Sequence, residues 1–328
     1  MANIGSPFSP LWVDRKDASL EAHNKLEQGL ISEDEFHAIR FFIANGYCII
    51  EDAVDVELID GYLAEIQEMF GARQDLWVTE GPQIKRLGEA KVDRALSKVL
   101  DTYMVSRRAL RMAFAPKLAR MLKVIFGEAP AVHQGLHFQV GSTQAIHQDT
   151  AYVVVKPALA LAAAWIALED VRPGSGELIY YRGSHRFGDF LYPGEQRHWN
   201  TDAHGHPIHN HHLAWLHVEA SEKGAPLEYF WPRKGSLLIW HADLAHGGSP
   251  IVNPRYTRKS VVFHYCPASA RPAYLDSPNS AMSDFQTTLE GTFCSSYYAE
   301  FSESGEIPPR VKAKPAEEPA ISATATPA

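Results

Sequence analysis

Residues 160–168 read Ala-Leu-Ala-Ala-Ala-Trp-Ile-Ala-Leu, and the secondary structure of this apolar run decides the fold class. Alanine favours helix by intrinsic propensity, but the run is short. Clusters of Gly, Pro, Ser and Asp separate it from four other short apolar or alternating runs, at 131–140, 177–181, 235–240 and 260–266. Strand-length runs with turn residues between them are typical of an antiparallel β-sandwich or barrel, so we predict that 160–168 is a strand of such a fold.

The part of the chain before residue 130 predicts helices instead. Ser32 stands three residues before Glu35, which is the pattern of a capping box, and Gly46 supplies a left-handed stop. Around this helix we predict an extended or partly helical leader over 1–30, a short strand over 47–51, a second helix starting near Asp55, a loop-like stretch over 71–90 and helix over 93–126.

Two segments lack the pattern of a packed core. The segment from Phe187 to Trp231 is long, polar and rich in aromatic residues, and it holds seven histidines between positions 198 and 217. Loops of this length inside a compact domain tend to be lids or binding loops, so we expect a lid or pocket wall here. The histidines lack the spacing of a closed zinc site. Residues 308–328 are mostly Pro, Ala, Lys, Glu and Thr, which predicts a disordered tail.

Composition and charge exclude several classes of protein. The chain has 328 residues, of which 45% are hydrophobic, enough for a globular core. Its 31 basic and 39 acidic residues give a formal charge of −8, which argues against nucleic acid or an anionic membrane as a partner. Three cysteines are too few for a disulfide framework, and no secretory signal or membrane span is visible. We therefore expect a cytoplasmic protein.

Pairs of the form H-x-D/E are candidate metal ligands, because the histidine and the carboxylate then lie on one face of a strand. A distant second histidine completes a facial triad of iron ligands with three open positions. With 16 histidines and 39 acids, chance gives about two such pairs, and the sequence contains three. His217/Glu219 lies in the polar segment and predicts a solvated loop. His241/Asp243 is followed by His264, which falls in the middle of a predicted strand.

The third pair, His147/Asp149, has the context of a metal site. His246 follows 99 residues after His147, and Arg258 follows twelve residues after His246, at the start of an apolar strand. A planar, permanently charged guanidinium suits the far carboxylate of a chelating co-substrate such as 2-oxoglutarate. Arg255, nine residues after His246, is the alternative for this role.

Taken together, these segments resemble the phytanoyl-CoA dioxygenase-like family of Fe(II)/2-oxoglutarate oxygenases over about residues 30–267. The segments that carry the resemblance are Asn45-Gly46-Tyr47, His147-Gln148-Asp149 with Tyr152, Ala164-Trp165-Ile166-Ala167-Leu168-Glu169-Asp170, Gly176-Glu177-Leu178, Arg182-Gly183-Ser184-His185-Arg186, His246-Gly247-Gly248-Ser249-Pro250, Asn253 and Arg258-Lys259. Arg182 stands where the family usually has proline. The joint spacing of the segments is specific, whereas each alone is not.

The resemblance implies a mainly β fold with flanking N-terminal helices, namely a double-stranded β-helix, or cupin-like jelly roll. Its core would span about 131–267 within a single domain over 31–307, and 187–231 would be the lid or insert.

The resemblance also implies roles for particular residues. His147, Asp149 and His246 would bind Fe(II), and Arg258 would bind the C5 carboxylate of 2-oxoglutarate. Trp165 stands at the family's position beside the co-substrate, although an ordinary core aromatic is an equal alternative.

Gln139 is a further candidate for binding the co-substrate. It shares the odd-numbered face of 131–140 with His133 and His137, and this polar face would line the mouth of the barrel. Structural histidines with satisfied hydrogen bonds are the alternative. His185, in a turn, is expected to be structural.

The implied reaction consumes O2 and 2-oxoglutarate, releases succinate and CO2, and hydroxylates an unactivated C–H bond of a small molecule. Related halogenases have a small residue where this chain has Asp149, so we expect hydroxylation or another oxidation and not halogenation. The sequence specifies neither the substrate nor the oligomeric state. A non-catalytic jelly-roll binding protein and a zinc hydrolase with the same three ligands stay open as alternatives.

Overall fold

The computed structural model describes residue 6 and residues 8–72, 75–80, 83–88 and 97–302, and the predicted tail 308–328 lies outside them. The helices are α1 (Ala18–Glu27), α2 (Glu33–Asn45), α3 (Val56–Ala72), α4 (Arg107–Ala113), α5 (Pro116–Phe126) and α6 (Thr201–Glu222). The strands are β1 (Tyr47–Ile50), β2 (Trp77–Glu80), β3 (Gln83–Arg86), β4 (Lys98–Leu100), β5 (Pro130–Phe138), β6 (Val155–Lys156), β7 (Ala162–Ala167), β8 (Leu178–Tyr181), β9 (Leu227–Phe230), β10 (Leu237–His241), β11 (His246–Gly248), β12 (Ser260–Pro267), β13 (Arg271–Pro272), β14 (Gln286–Thr287) and β15 (Thr292–Phe293). Within the described residues, no helix is long and apolar enough to cross a membrane.

Two sheets that pack face to face form a jelly roll. The larger sheet has the strand order β1-β10-β7-β12-β5-β4-β2-β3, and the smaller sheet has the order β11-β8-β9. The central strands are antiparallel, with Trp165 opposite Leu238 on one side and opposite Val262 on the other. The predicted mainly β jelly roll with N-terminal helices is therefore confirmed.

The alanine-rich run forms the strand β7, and both of its faces are buried. Even-numbered residues such as Ala164 and Ile166 pack in the cluster that includes the helices, whereas Trp165 packs with residues of the smaller sheet. A strand buried on both faces is continuously apolar and does not alternate. The layers on either side, and not the helix propensity of alanine, therefore decide its conformation.

The end of α2 shows why a glycine is needed there. The capping box of Ser32 and Glu35 is present, and Gly46 ends the helix with a φ of 82°. A Cβ atom at Gly46 would lie 2.5 Å from Nδ1 of His185, so the close approach of this ring also excludes a larger residue. His185 lies 3.2 Å from the carbonyl of Ile43 through its other ring nitrogen, which agrees with a structural role.

The larger sheet extends beyond the expected core of 131–267. Residues 71–90, predicted to be loop-like, contain the antiparallel strands β2 and β3. Residues 98–100, within a stretch predicted to be helical, form β4, which connects β2 to β5. These predictions were wrong because three- and four-residue strands carry too little periodicity to be recognised without their pairing partners.

About half of the segment 187–231 is helical, so it is not the loop that we expected. It contains α6, in which Gly205 has the non-helical φ and ψ of 67° and 175°, and it ends with β9. His217 and Glu219 consequently lie on a helix. Nδ1 of His217 lies 3.0 Å from the hydroxyl of Tyr181 in an exposed contact.

An ion pair ties the leader to the end of β10. Nε2 of His241 lies 3.1 Å from Oδ1 of Asp14, and the hydroxyl of Ser9 donates to the same carboxylate. Burial acts to raise the pKa of Asp14, but His241 and Ser9 outweigh it and hold the pKa below its usual value.

We expect Asp14→Asn to lower the free energy of unfolding by about 1–3 kcal/mol near neutral pH, since hydrogen bonds to a charged group are lost. A carboxyl with a depressed folded pKa stabilises the protein above its unfolded pKa of about 3.9, and this contribution disappears as the pH falls through the folded pKa. The difference between the wild type and the variant should therefore shrink in acid, as measured by urea denaturation between pH 3 and 7. Asp17→Asn, at an exposed position of the same segment, is the control.

Candidate metal and co-substrate site

His147 and His246 are backbone partners across the jelly roll. The N–H group of each residue donates to the carbonyl of the other, and both distances are 2.9 Å. His246 begins β11. Asp149 begins a 3-10 turn just after His147. The chain path thus brings the H-x-D pair and the distal histidine to one place.

Three ligand atoms surround one space. Nε2 of His147 and Nε2 of His246 each lie 3.7 Å from Oδ1 of Asp149, and one ligand atom of each residue lies within 4.8 Å of the others. Nδ1 of each histidine lies 2.8 Å from a backbone carbonyl, that of Ala145 or Leu244. Because a carbonyl can only accept, Nδ1 carries the proton and Nε2 holds the lone pair that can bind a metal. In His147 this atom also lies 3.2 Å from the amide nitrogen of Gln144. Two imidazoles and one carboxylate are the donor set of a non-haem iron site.

The second oxygen of the Asp149 carboxylate faces two other rings. Oδ2 accepts a hydrogen bond of 2.7 Å from the indole of Trp240 and lies 3.3 Å from Nε2 of His264. Burial opposes ionisation, but His246 and His264 bring the pKa of Asp149 well below its usual value. Burial lowers the pKa of His246 to about 4, so this ring is neutral at pH 7. The site therefore presents a carboxylate anion beside a neutral imidazole.

A cavity of about 370 Å³ opens beside the ligand atoms. Its wall includes the side chains of Leu136, Phe138, Trp165 and Val262, which come from the central strands of the larger sheet. The wall is thus mostly apolar next to a polar metal site, which is the usual construction of a small-molecule pocket.

Arg258 is the buried cation of this cavity. It is 2% exposed, and its guanidinium carbon lies 5.3 Å from the ring centroid of Phe138 and 5.5 Å from that of Trp165. Its Nε atom has no hydrogen-bond partner among the described residues. Burial lowers the pKa of Arg258 to about 10, which still leaves it charged at pH 7. A buried cation with an unpaired N–H group is costly unless an anion pairs with it, so the cavity is suited to a carboxylate.

Lys98 is a second cation of the cavity that the sequence analysis missed. Its ammonium nitrogen lies 5.1 Å from the ring centroid of Phe138, on which Arg258 also packs. Burial, with the nearby charge of Arg258, lowers the pKa of Lys98. Only the pairing of β4 with β5 places Lys98 here, and no signal in the sequence indicated it.

Gln139 does not lie in this cavity. The residues of this strand segment that line it are the even-numbered Gln134, Leu136 and Phe138, whereas Gln139 borders a separate groove beside α3. Its amide nitrogen lies 3.1 Å from Nε2 of His137, and His137 in turn contacts the hydroxyl of Tyr62. The expectation that Gln139 binds the co-substrate is therefore corrected, because the odd-numbered, polar face of the strand points away from the cavity.

The other residues that the sequence analysis considered lie either in the cavity wall or away from it. Trp165 lines the cavity beside Arg258, whereas Arg255 is exposed at the surface. His133 is buried, its ring nitrogens have no hydrogen-bond partner in the part of the chain that the structure describes, and it lies outside the cavity wall. Asp243, of the His241/Asp243 pair, accepts a hydrogen bond from Thr150 and forms an ion pair with Arg197, which holds the insert against the metal-binding turn.

Comparison with known proteins identifies the family of this chain. A profile described as Phytanoyl-CoA dioxygenase (PhyH) matches residues 42–260. Peroxisomal phytanoyl-CoA dioxygenase of Rattus norvegicus is 22% identical over 242 residues, which cover 69% of this chain and 66% of that protein. The chain therefore spans slightly less than two thirds of that relative. The human protein of the same name is 22% identical over 268 residues, which cover 77% of this chain and 73% of that protein.

Solved structures share the fold at low sequence identity. The epimerase SnoN, solved with Fe3+, alpha ketoglutarate and nogalamycin RO, has a TM-score of 0.54 and 19% identity, covering 73% of this chain and 86% of that one. The alpha ketoglutarate-dependent carbocyclase SnoK has a TM-score of 0.54 and 18% identity, covering 78% and 90%. EctD from S. alaskensis with bound Fe has a TM-score of 0.52 and 18% identity, covering 73% and 78%. Since the family profile matches more than half of its residues, this chain belongs to the phytanoyl-CoA dioxygenase (PhyH) family.

Proposed function

We propose that the protein is an Fe(II)- and 2-oxoglutarate-dependent dioxygenase that hydroxylates an unactivated C–H bond of a small molecule. The observation that carries this proposal is the position of Arg258, a buried cation in the cavity that three metal-ligand atoms adjoin. Activation of water by a metal does not require such a cation, whereas a chelating co-substrate with a second carboxylate does. The family and the folds of SnoN and EctD support the same class of chemistry.

The donor atoms present fit the metal and the co-substrate. Nε2 of His147, Nε2 of His246 and Oδ1 of Asp149 would hold Fe(II), and Arg258 with Lys98 would hold the far carboxylate of 2-oxoglutarate. When bound, iron and 2-oxoglutarate supply the activation of dioxygen, with succinate and CO2 as co-products.

The chain itself contributes orientation and exclusion of water. The Trp240 indole and the Nε2 atom of His264 approach one carboxylate oxygen of Asp149, which leaves the other oxygen facing the two ligand histidines. The rings of Phe138 and Trp165 pack on the guanidinium of Arg258, so its attraction for a carboxylate acts in a medium of low polarity.

The test is a screen of metabolites with the full chain, Fe(II) and 2-oxoglutarate, with succinate as the readout. We expect succinate formation that requires O2 and increases with one class of compound, which gains one oxygen atom by mass spectrometry. Because Asp149 occupies a ligand position, added chloride should leave the product unchanged. A chlorinated product would contradict the role of Asp149, and conversion without O2 would favour a hydrolase.

We expect His264→Phe to weaken Fe(II) binding about 10- to 100-fold, the usual effect of removing a group that orients a metal ligand. The reason is that Oδ2 of Asp149 would lose the polar contact with the His264 imidazole at 3.3 Å and keep the Trp240 hydrogen bond. Calorimetric titration of the metal-free protein measures the affinity, and His264→Gln should restore part of it. His217→Phe, on the exposed face of α6, is the control, and equal affinity in all variants would refute this role of His264.

A further inference from the structure

A continuous chain of hydrogen bonds connects the cavity with the metal-binding turn through the insert. Nε2 of His209 lies 2.9 Å from the hydroxyl of Tyr152, and its Nδ1 lies 3.1 Å from the hydroxyl of Tyr192. Tyr192 also lies 2.8 Å from Nδ1 of His212, and Nε2 of His212 lies 3.3 Å from Oε1 of Gln148. Gln148 stands between the ligands His147 and Asp149. We call the five side chains the insert relay.

The donor and the acceptor of every hydrogen bond in the insert relay follow from the contacts of Gln148, where the relay meets the metal-binding turn. The amide of Gln148 lies 2.8 Å from the backbone carbonyl of Asp243, and a carbonyl can only accept, so the amide nitrogen faces Asp243. The amide oxygen then faces His212, which must donate from Nε2. A neutral His212 consequently accepts at Nδ1, and the Tyr192 hydroxyl supplies that hydrogen.

The same logic continues to the cavity. Because the Tyr192 hydroxyl hydrogen points to His212, its oxygen must accept from Nδ1 of His209. Nε2 of His209 is then an acceptor, and the hydroxyl of Tyr152 donates to it. Each group of the relay uses its donor once, so one pair of histidine tautomers satisfies all of the contacts.

The two histidine rings are held in place and neutral. His209 stacks on Trp199 with a centroid distance of 4.0 Å and an angle of 10°, and His212 stacks on Phe190 at 4.7 Å and 29°. Burial lowers the pKa of His209, and burial lowers the pKa of His212 to about 3. The stacking orients the planes of both rings, and the lowered pKa values favour the neutral form of each ring at neutral pH.

We propose that Tyr152 is a specificity-determining residue whose hydroxyl acts only as a hydrogen-bond acceptor toward the cavity. Its hydrogen is committed to His209, while the residue is 42% exposed and lines the cavity beside the metal ligands. The substrate class that fits is an uncharged molecule, largely apolar to match the wall, that carries a hydroxyl or N–H donor near the C–H bond to be oxidised. The inference about substrate rests on the proposed function, whereas the direction of the relay does not.

The first test reads the tautomers directly, without any substrate. Ring 15N chemical shifts of the uniformly labelled full chain, loaded with Zn(II), distinguish the two protonation sites of a neutral histidine. His209→Gln and His212→Gln assign the two signals. We expect a proton on Nδ1 of His209 and on Nε2 of His212, and the opposite tautomer at either ring overturns the proposal.

The second test probes the acceptor itself. With Zn(II) and the unreactive analogue N-oxalylglycine in place, 19F NMR measures the binding of 4-fluorobenzyl alcohol and of its methyl ether. We expect Tyr152→Phe to weaken binding of the alcohol about 3- to 10-fold, the effect of one neutral hydrogen bond, and to leave the ether unchanged. Tyr181→Phe is the matched control. It removes the exposed contact between Tyr181 of β8 and His217 of α6, and it should bind both probes as the wild type does.

Equal weakening for alcohol and ether, no difference between variants, or no binding of the alcohol to the wild type overturns the role of Tyr152. Failure of the proposed function has a different signature. In that case N-oxalylglycine does not bind and no compound stimulates succinate formation, while the tautomers of His209 and His212 are as predicted.

Discussion

Replacement of Asp149 by alanine is expected to abolish succinate formation and to weaken Fe(II) binding more than about 100-fold, since changes outside the ligand shell already cost 10- to 100-fold. The carboxylate is the one anionic group of the ligand set, and Oδ1 lies 3.7 Å from both imidazole nitrogens. Without it, two neutral rings remain to bind a dication. Calorimetry with Fe(II) and a succinate assay measure the two effects.

Glu219→Ala is the matched control for that variant, because Glu219 is the acid of another H-x-D/E pair and lies on α6, away from the cavity. Circular dichroism and the melting temperature of the metal-free proteins establish that both variants are folded. Undiminished iron affinity in a folded Asp149→Ala protein would show that the metal site lies elsewhere.

The second large effect is expected for Arg258→Gln, which should raise the KM for 2-oxoglutarate at least about 30-fold, since truncating one partner of a buried charge pair costs about 2–5 kcal/mol. The guanidinium is the fully buried cation of the cavity, and Lys98 alone would face the far carboxylate. Because the metal ligands are untouched, Fe(II) affinity should not change. Initial rates at varied 2-oxoglutarate give the effect.

Arg255→Gln separates this role from a general effect of removing positive charge. Arg255 is exposed and borders a different, charged surface groove. Its variant should keep the wild-type KM. A similar increase in both variants would mean that long-range electrostatics, and not a contact with Arg258, determines the affinity.

The strands that carry the site could be predicted from the sequence because turn residues flank each of them and the neighbouring runs have the same short, apolar pattern. The run at 160–168 is the clearest case, since its alanines favour helix and only the surrounding pattern indicates a strand. The helix α6 was missed because its own sequence hides the apolar pattern of a helix. Gly205 and Pro207 interrupt its first turns, and its buried positions include His209 and His212, which no apolar pattern counts as core.

The face of a strand is harder to predict than its existence. On β5, the polar residues His133 and His137 suggested that the odd-numbered face lines the cavity, and Gln139 followed from this. In the structure the helices and the C-terminal segment bury that face: Tyr62 of α3 contacts His137, and Tyr274 stands beside His133. A strand covered on both sides does not reveal from its own sequence which side is the pocket.

The mutual main-chain bonds of His147 and His246 do not depend on which side chains surround them. The spacing of the two histidine backbones is therefore set by the path of the polypeptide and not by the side chains of the cavity wall. Positions of the cavity wall on the larger sheet, such as Leu136 and Val262, could therefore be exchanged to admit other molecules while the backbone that anchors the two rings stays in place.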